Sequence, residues 1–216
     1  MKAITVYCAS STNLAVEFAD TARRVGELIA DRGIDLVYGG GGIGLMGEVA
    51  RSLHARGGRV TGIITKHLLD QEQGWDGCDE LRVVETMRER KRLLVELGDA
   101  FLVLPGGLGT YEEFFETLVG RQLREHAKPI GIVNDAGYFD PLVAMIEHGI
   151  EHRFIKPAVK ELFTVDPDPS VVIDWLLDAP PVEIDPQRFL PMGRIPEPPD
   201  EPPDEPPDET PDEPGA

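Results

Sequence analysis

Short apolar runs rich in β-branched residues alternate along the chain with stretches whose apolar residues recur at helical spacing. The apolar runs predict buried strands at residues 3–7, 34–38, 60–64, 100–104 and 130–133, and a last one near Phe163. Near-continuous apolar strands that alternate with helices are typical of a parallel sheet covered on both faces. We therefore predict a Rossmann-like α/β domain with a doubly wound parallel sheet, whose ligands bind beyond the carboxyl ends of the strands.

The intervals between these strands predict amphipathic helices. In the first interval, one helical face collects Leu14, Phe18, Ala22, Val25 and Ile29, and Gly33 follows as a C-terminal stop. Further helices are expected from about Leu45, from Thr110, over residues 140–152 and through Trp175. Each strand is thus followed by a helix, as the doubly wound fold requires.

The last part of the chain has a different composition. Residues 195–216 hold nine acidic residues, nine prolines and no base, and PPDE recurs three times. This segment has almost nothing apolar to bury, so it cannot offset the entropy cost of ordering. We predict one folded domain at residues 1–180 and a disordered, acidic, Pro-rich tail at 181–216. A Pro-rich recognition segment is the alternative for the tail.

Composition also limits the classes of partner. The 216 residues carry a net charge of −18, about half of it in the tail, which disfavours binding to nucleic acid or to an anionic membrane surface. No apolar run is long enough to span a bilayer, and the start MKAITVYCASS lacks the pattern of a signal peptide, so we expect a cytoplasmic protein. Cys8 and Cys78 form neither a disulfide framework nor a CxxC pair.

The first of two glycine-rich strand exits is YGGGGIGLMGE at residues 38–48. It satisfies GxGxxG twice, but it follows the second strand and no acidic residue stands about 20 residues further on, so we do not expect NAD. Glycines here permit a tight turn and close packing whether or not a ligand is present. They also expose backbone N–H groups, which favours contact with an anion or a ribose.

The second exit is VLPGGLGTYEEFFE at residues 103–116. Its three glycines and the first N–H groups of the following helix can form a nest for a phosphate, supported by the helix dipole. Thr110 and Glu113 also have the spacing of a capping box, so Glu113 has a purely structural alternative. Just upstream, a second such box at Thr86 and Glu89 begins a helix with the densest basic cluster of the chain, RERKR at 88–92. Such a cluster is either a solvated helix face or a local attraction for an anionic substrate.

These segments carry a resemblance to a known family. PGGLGTYEE at 105–113 resembles the PGGxGTxxE signature of the LOG ("lonely guy") family, formerly described as lysine decarboxylase-like, and MRERK at 87–91 resembles its MHxRK segment. YGGGGIGLMG at 38–47 and YCASS at 7–11 match as well, so the similarity covers roughly residues 1–180. The resemblance implies a cytokinin riboside 5′-monophosphate phosphoribohydrolase, which hydrolyses the N-glycosidic bond of an N6-substituted AMP to free base and ribose 5-phosphate. It also implies a homodimer or larger oligomer, with no metal and no redox cofactor.

By position, the resemblance makes Arg90 and Glu113 the catalytic residues. It assigns the 5′-phosphate to Gly106, Gly107, Gly109 and Thr110, and it gives lesser roles around ribose and base to Ser10, Gly41, Met46 and Lys91. The chain departs from the family pattern at Arg88, where His is common, at Thr65, where Pro is common, and at Val119-Gly120, where Thr-Trp is frequent. The nucleotide accepted is therefore less well defined than the reaction.

Three competing interpretations follow from the same residues. A nucleotide-binding or molybdenum cofactor carrier-like protein needs the glycines but not Arg90 and Glu113 together, so the pair favours the enzyme. The older decarboxylase description requires pyridoxal phosphate, and nothing marks a Schiff-base lysine. HGIEH at 148–152 fits the HxxEH zinc pattern, but Gly149 weakens the helix and no further ligand is evident, so we predict no metal.

Overall fold

The structure is a computed structural model that describes residues 1–72, 74–179 and 188–189, without the side chains of residues 70–72. Its centre is a sheet of seven parallel strands. Their bounds are β1 Ala3–Tyr7, β2 Asp35–Tyr38, β3 Val60–Thr65, β4 Glu80–Val84, β5 Ala100–Val103, β6 Ile130–Val133 and β7 Phe163–Asp166. The strand order is β4-β3-β2-β1-β5-β6-β7 and every pairing is parallel. The predicted doubly wound α/β sheet is confirmed.

Helices cover both faces of the sheet and enclose two hydrophobic cores. Their bounds are α1 Val16–Asp31, α2 Gly44–Ala55, α3 Lys66–Glu72, α4 Met87–Leu97, α5 Leu108–Gln122, α6 Asp140–Glu151 and α7 Pro169–Asp178. Side chains of a strand alternate between the faces, and β5 shows this directly. Leu102 packs in the core with α1, α2 and α7, whereas Phe101 and Val103 pack in the core with α4, α5 and α6.

The helix stop predicted after α1 is also confirmed. Gly33 has a φ of +68°, the left-handed conformation in which glycine commonly ends a helix, and its N–H donates to the Ala30 carbonyl at 2.8 Å. The start of α1 differs from the prediction, because Leu14 lies outside the helix and is exposed. The apolar spacing that includes Leu14 therefore overestimates the helix at its N-terminal end.

One strand and one helix lie in a segment for which we predicted no element. The strand β4 is the edge strand of the sheet, and it reads ELRVV with only Val84 buried. An edge strand packs less of its surface, so its sequence need not be continuously apolar. The short helix α3 connects β3 to this edge.

Most of the predicted tail lies outside the described residues. Of residues 181–216 the structure describes only Arg188 and Phe189. Arg188 donates to Glu161 at 2.9 Å, and Phe189 packs against the core on the α4–α6 side. The acidic PPDE repeats begin after this contact.

We expect deletion of residues 195–216 to leave folding and activity nearly unchanged. The segment has almost no apolar side chains that could pack against the domain, and its prolines and acidic residues favour neither a helix nor a strand. The melting temperature and the turnover number of the truncated chain should match those of the full chain. A large fall in either would show that the repeats contact the domain.

Candidate active site

The two glycine-rich segments meet at the carboxyl end of β1, the strand that lies between β2 and β5. The loop after β1 joins them through the backbone. The Ala9 N–H donates to the Pro105 carbonyl at 3.1 Å, and the Ala9 carbonyl accepts from the Met46 N–H at 3.2 Å. This is the position where the direction of strand addition reverses, which is where open α/β sheets bind ligands.

The first glycine-rich segment packs tightly against its neighbours. Gly40 and Gly44 have φ values of +82° and +60°, and a Cβ on Gly44 would lie 2.5 Å from the Ser10 carbonyl carbon. Gly41 pairs with Gly74 in an antiparallel bridge. The tight turn expected of these glycines is confirmed. Substrate contact by Ser10 and Gly41 stays a prediction.

Arg90 is buried in α4, and two backbone carbonyls, one within β3 and one directly after β2, hold its guanidinium. Nε donates to the Ile63 carbonyl at 3.0 Å, and Nη2 donates to the Gly39 carbonyl at 3.3 Å. Nη1 donates to Glu113 Oε1 at 3.2 Å. The side chains of Arg90 and Glu113 are 8% and 14% exposed, so the ion pair is largely shielded from bulk water. Two charges attract each other more strongly in the protein interior than in water, because the interior has a lower dielectric constant. The guanidinium therefore fixes the position of the Glu113 carboxylate.

Gly39 allows the guanidinium to approach the loop. A Cβ on Gly39 would lie 2.3 Å from Arg90 Nη2 and 3.1 Å from the Met46 sulfur. Met46 itself is buried in the core. The structure thus shows a packing role for Met46, and its contact with the base stays a prediction.

We expect Gly39→Ala to reduce turnover by about tenfold or more, because the added methyl group displaces Arg90 and with it Glu113. Gly26→Ala is the matched control, since a Cβ there would lie 2.1 Å from Ser52 Oγ in the α1–α2 contact. Both variants should lose about 1–3 kcal/mol of stability. Turnover per folded molecule should fall only for Gly39→Ala, and equal turnover in the two variants would contradict this role of Gly39.

The helix that carries Glu113 begins earlier than predicted. α5 starts at Leu108, Gly107 is its N-cap residue, and no side chain caps it. Thr110 is buried within the first turn, so the structural alternative for Glu113, a capping box with Thr110, is wrong. The reason is local, since Gly107 takes the extended conformation of an N-cap residue and the helix can begin directly after it. The Glu113 carboxylate accepts a hydrogen bond from Arg90.

One of the two hydrogen bonds of the capping box predicted at Thr86 and Glu89 is present. Thr86 is the N-cap residue of α4, and its hydroxyl accepts from the Glu89 N–H at 3.2 Å. The Glu89 carboxylate accepts instead from the N–H of Glu85, at 3.4 Å. This cap sets the start of the helix that carries Arg90.

The predicted phosphate residues form the N-terminal end of α5. The first N–H groups of an α-helix lack acceptors within the helix, and the helix dipole adds positive potential there. A Cβ on Gly107 or Gly109 would meet nothing within 4 Å, whereas one on Gly106 would lie 2.0 Å from Thr110 Oγ1. Packing thus accounts for Gly106 but not for the other two glycines. Open space above free N–H groups is the geometry that an anion requires.

Lys91 lies between α4 and α5. Its ammonium contacts Glu112 at 2.9 Å and Glu116 at 3.1 Å. The hydrogen bond that Lys91 donates to Glu112, and secondly the one to Glu116, raises the pKa of Lys91, although partial burial opposes the shift. Two carboxylates therefore engage this cation, and its contact with substrate stays a prediction.

Two groups beside Glu113 are held neutral. Burial and, secondly, the charge of Glu113 raise the pKa of the Cys8 thiol above its usual range. The same two causes raise the pKa of the Tyr7 phenol well above its ordinary value. A thiol is nucleophilic only as the thiolate, so Cys8 does not supply a nucleophile near neutral pH.

The sequence analysis did not identify three residues that support the site. The Thr117 hydroxyl bonds to the backbone carbonyl of Glu113, and His126 Nε2 contacts the Thr117 carbonyl at 3.0 Å. The Tyr138 hydroxyl donates to the Gly106 carbonyl at 2.5 Å. Thr117 had a local signal, because it stands one helical turn after Glu113. His126 and Tyr138 reach the site only through the fold.

His126 gives the fold a defined pH dependence. Burial lowers its pKa from 6.5 to about 4, and the charges of Lys128 and Arg121 contribute, so the folded protein holds the imidazole neutral. The unfolded chain takes up the proton at higher pH, and stability is lost as the pH falls from about 6.5 towards 4. Between pH 7 and pH 5 the wild type should lose about 2 kcal/mol more than His126→Gln. Denaturant unfolding at both pH values measures this difference, and His152→Gln should behave like the wild type.

Among the residues that the structure describes, no three His, Cys, Asp or Glu side chains are grouped so that they could hold a metal ion. The rings of His148 and His152 lie 4.3 Å apart on α6. Within the same described ranges, no helix is both long enough and apolar enough to cross a membrane.

Comparison with known sequences places the chain among hydrolases. Residues 46–176 match the family model described as "possible lysine decarboxylase". A "probable cytokinin riboside 5′-monophosphate phosphoribohydrolase LOGL9" of Oryza sativa subsp. japonica is 40% identical over 179 residues, 83% of this chain and 79% of that protein. The "cytokinin riboside 5′-monophosphate phosphoribohydrolase LOG3" of Arabidopsis thaliana is 39% identical over 178 residues, 82% of this chain and 83% of that protein.

Comparison with solved structures adds evidence on the fold. The molybdenum cofactor carrier protein of Chlamydomonas reinhardtii has a TM-score of 0.62 at 19% identity, over 82% of this chain and 98% of that one. The molybdenum cofactor binding protein of Rippkaea orientalis has a TM-score of 0.64 at 20% identity, over 82% and 97%. At this level of identity the similarity shows a shared Rossmann-like fold and nothing about ligands.

Proposed function

We propose the function from the premise that the chain belongs to the family of cytokinin riboside 5′-monophosphate phosphoribohydrolases, whose family model is described as possible lysine decarboxylase. The protein is an N-glycosyl hydrolase. It cleaves adenosine 5′-monophosphates to the free base and ribose 5-phosphate. When the nucleotide carries an N6 substituent, the free base is of the cytokinin type. It needs no cofactor for this reaction, because water is the only co-reactant.

The observation that carries this proposal is the buried ion pair of Arg90 and Glu113 beside the N-terminus of α5. Two backbone carbonyls hold the guanidinium, so Arg90 is fixed before any ligand arrives. The carboxylate is held by Arg90 in turn, and it stands one helical turn from the first N–H groups of α5. A fixed carboxylate at that distance from a phosphate site suits chemistry at the ribose of a bound nucleotide.

The reaction follows from these positions. The bond between ribose C1′ and the purine nitrogen breaks, and its electron pair leaves with the base, which takes up a proton. C1′ gains positive charge as an oxocarbenium-like centre, which the Glu113 carboxylate stabilises. Water adds its oxygen to C1′ and gives up a proton to Glu113. Glu113 passes this proton to solvent, which supplies the proton that the base takes up, so the products are free base and ribose 5-phosphate.

Substrate binding involves both glycine-rich segments, the loop after β1 and the helix α4. The N–H groups at Gly106, Gly107, Gly109 and Thr110 hold the 5′-phosphate. Ser10, Gly41, Met46 and Lys91 contribute around the ribose and the base. Arg90 acts mainly on Glu113, since three of its nitrogens already have partners within the protein.

A non-catalytic carrier is the second candidate, and it has the weaker support. The solved carrier structures share the fold at 19–20% identity, whereas the hydrolases are 37–40% identical over most of the chain. A carrier also has no use for a buried carboxylate that is held in place by an arginine. We further propose that the protein is a homodimer, as the family resemblance implies, and that it acts in the cytoplasm.

Incubation of the purified protein with AMP and with isopentenyl-AMP tests the proposal. Chromatography should detect adenine or isopentenyladenine, formed in proportion to time and to protein concentration. Lysine with pyridoxal phosphate is the matched negative reaction, and it should give no diamine. Release of a diamine without free base would overturn the assignment.

A further inference from the structure

The loop between β6 and α6 brings Tyr138 to the N-terminus of α5. The Tyr138 hydroxyl donates to the Gly106 carbonyl at 2.5 Å, although 32 residues separate the two in the chain. The segments that carry the family resemblance, at residues 7–11, 38–47, 87–91 and 105–113, do not include Tyr138. The contact therefore adds a residue from a different loop to the phosphate end of the site.

This hydrogen bond acts on a peptide group that has few other restraints. In a trans peptide group the C=O and the N–H point in opposite directions within one plane. The described part of the chain contains no cis peptide bond, so fixing the Gly106 carbonyl also fixes the Gly107 N–H. No side chain caps α5 at Gly107, and a peptide group between two glycines rotates more freely than most.

The loop that presents Tyr138 is itself held firmly. The Asn134 side chain accepts from the Phe139 N–H and donates to Asp140, each at 2.7 Å. The Tyr138 ring makes edge contacts with Phe139 and with Phe18 of α1, with centroid distances of 5.0 and 6.0 Å. The loop hydrogen bonds and the two ring contacts therefore fix the position of the Tyr138 phenol next to Gly106.

We propose that Tyr138 is a positioning residue for the substrate phosphate. Its hydroxyl pulls the Gly106 carbonyl away from the site, and the Gly107 N–H is thereby aimed at the bound anion. Tyr138 itself does not touch the substrate. The identity of the anion, a nucleotide 5′-phosphate, rests on the proposed function.

The test is Tyr138→Phe, which keeps the ring contacts and removes only the hydroxyl. The KM for isopentenyl-AMP should rise about tenfold with kcat little changed, because one hydrogen bond to a charged group is weakened. The Kd of ribose 5-phosphate, measured by calorimetry, should rise by a similar factor. The kcat/KM for the nucleoside isopentenyladenosine should stay unchanged, because it lacks the phosphate.

Tyr111→Phe is the matched control. Tyr111 belongs to α5, and its ring makes an edge contact with Phe139 at a centroid distance of 6.2 Å, so removal of its hydroxyl should change the Kd of ribose 5-phosphate less than about twofold. An unchanged Kd in Tyr138→Phe, or an equal rise in both variants, would overturn the proposal. The calorimetric measurement needs no turnover, so it gives an answer even if the wild type releases no base and the proposed function fails.

Discussion

Glu113→Gln should reduce turnover by roughly 10²-fold or more while the protein stays folded. Glutamine keeps the length of the side chain, and its amide oxygen can still accept from Arg90 Nη1. It cannot take a proton from water, and it offers little stabilisation to positive charge at C1′. Release of ribose 5-phosphate measures the loss, and a thermal melt shows whether the fold is intact.

Glu112→Gln is the control for this experiment. It is the same chemical change at the neighbouring residue, whose carboxylate is exposed and pairs with Lys91. Its turnover should remain close to that of the wild type, because a surface ion pair contributes little. If Glu113→Gln were well folded and released product at the rate of this control, Glu113 would have no catalytic role. Its function would then be limited to neutralising Arg90.

Nucleoside 5′-monophosphates should be cleaved at least about 10²-fold more efficiently than the corresponding ribosides. The N–H groups at the start of α5 are directed at an anion, and a riboside leaves them without a charged partner. The comparison uses kcat/KM for isopentenyl-AMP and for isopentenyladenosine with the same preparation. The base and the ribose are identical in the two substrates, so the ratio isolates the phosphate.

Equal catalytic efficiency for the two substrates would show that residues 106–110 do not bind the 5′-phosphate. It would leave the fold and the pair of Arg90 and Glu113 untouched, since neither depends on that assignment. A different result is a ratio of kcat/KM for the nucleotide to that for the riboside that is high in the wild type, falls in Tyr138→Phe and stays unchanged in Tyr111→Phe. That result would show that the peptide group between Gly106 and Gly107 is where the protein distinguishes nucleotide from riboside.

The sequence predicts the architecture well where burial on both faces forces a continuous apolar run. β1, β5 and β6 are such strands, and their predicted bounds agree with the structure to within one residue. The edge strand β4 was missed because a strand with one free edge tolerates the Glu and Arg of ELRVV. Hydrophobic pattern alone cannot separate such a strand from a loop.

Of the candidate site, the sequence predicted the main residues but not the contacts that hold them. The resemblance pointed to Arg90 and Glu113, and the structure brings them to 3.2 Å. Local spacing alone suggested the wrong partner for Glu113, because a T-x-x-E pattern looks the same whether the helix starts at Thr110 or before it. The contact of Gly39 with Arg90 depends on tertiary packing between β2 and α4, and no spacing along the chain reveals it.

A single-turnover reaction with the protein in excess over isopentenyl-AMP tests the central claim most directly. We predict that all of the nucleotide is consumed, and that isopentenyladenine and ribose 5-phosphate appear in equal amounts, each matching the nucleotide lost. Nucleotide that stays bound to the protein and is recovered intact after denaturation would contradict the account, because it would identify a carrier that binds the substrate without hydrolysing it.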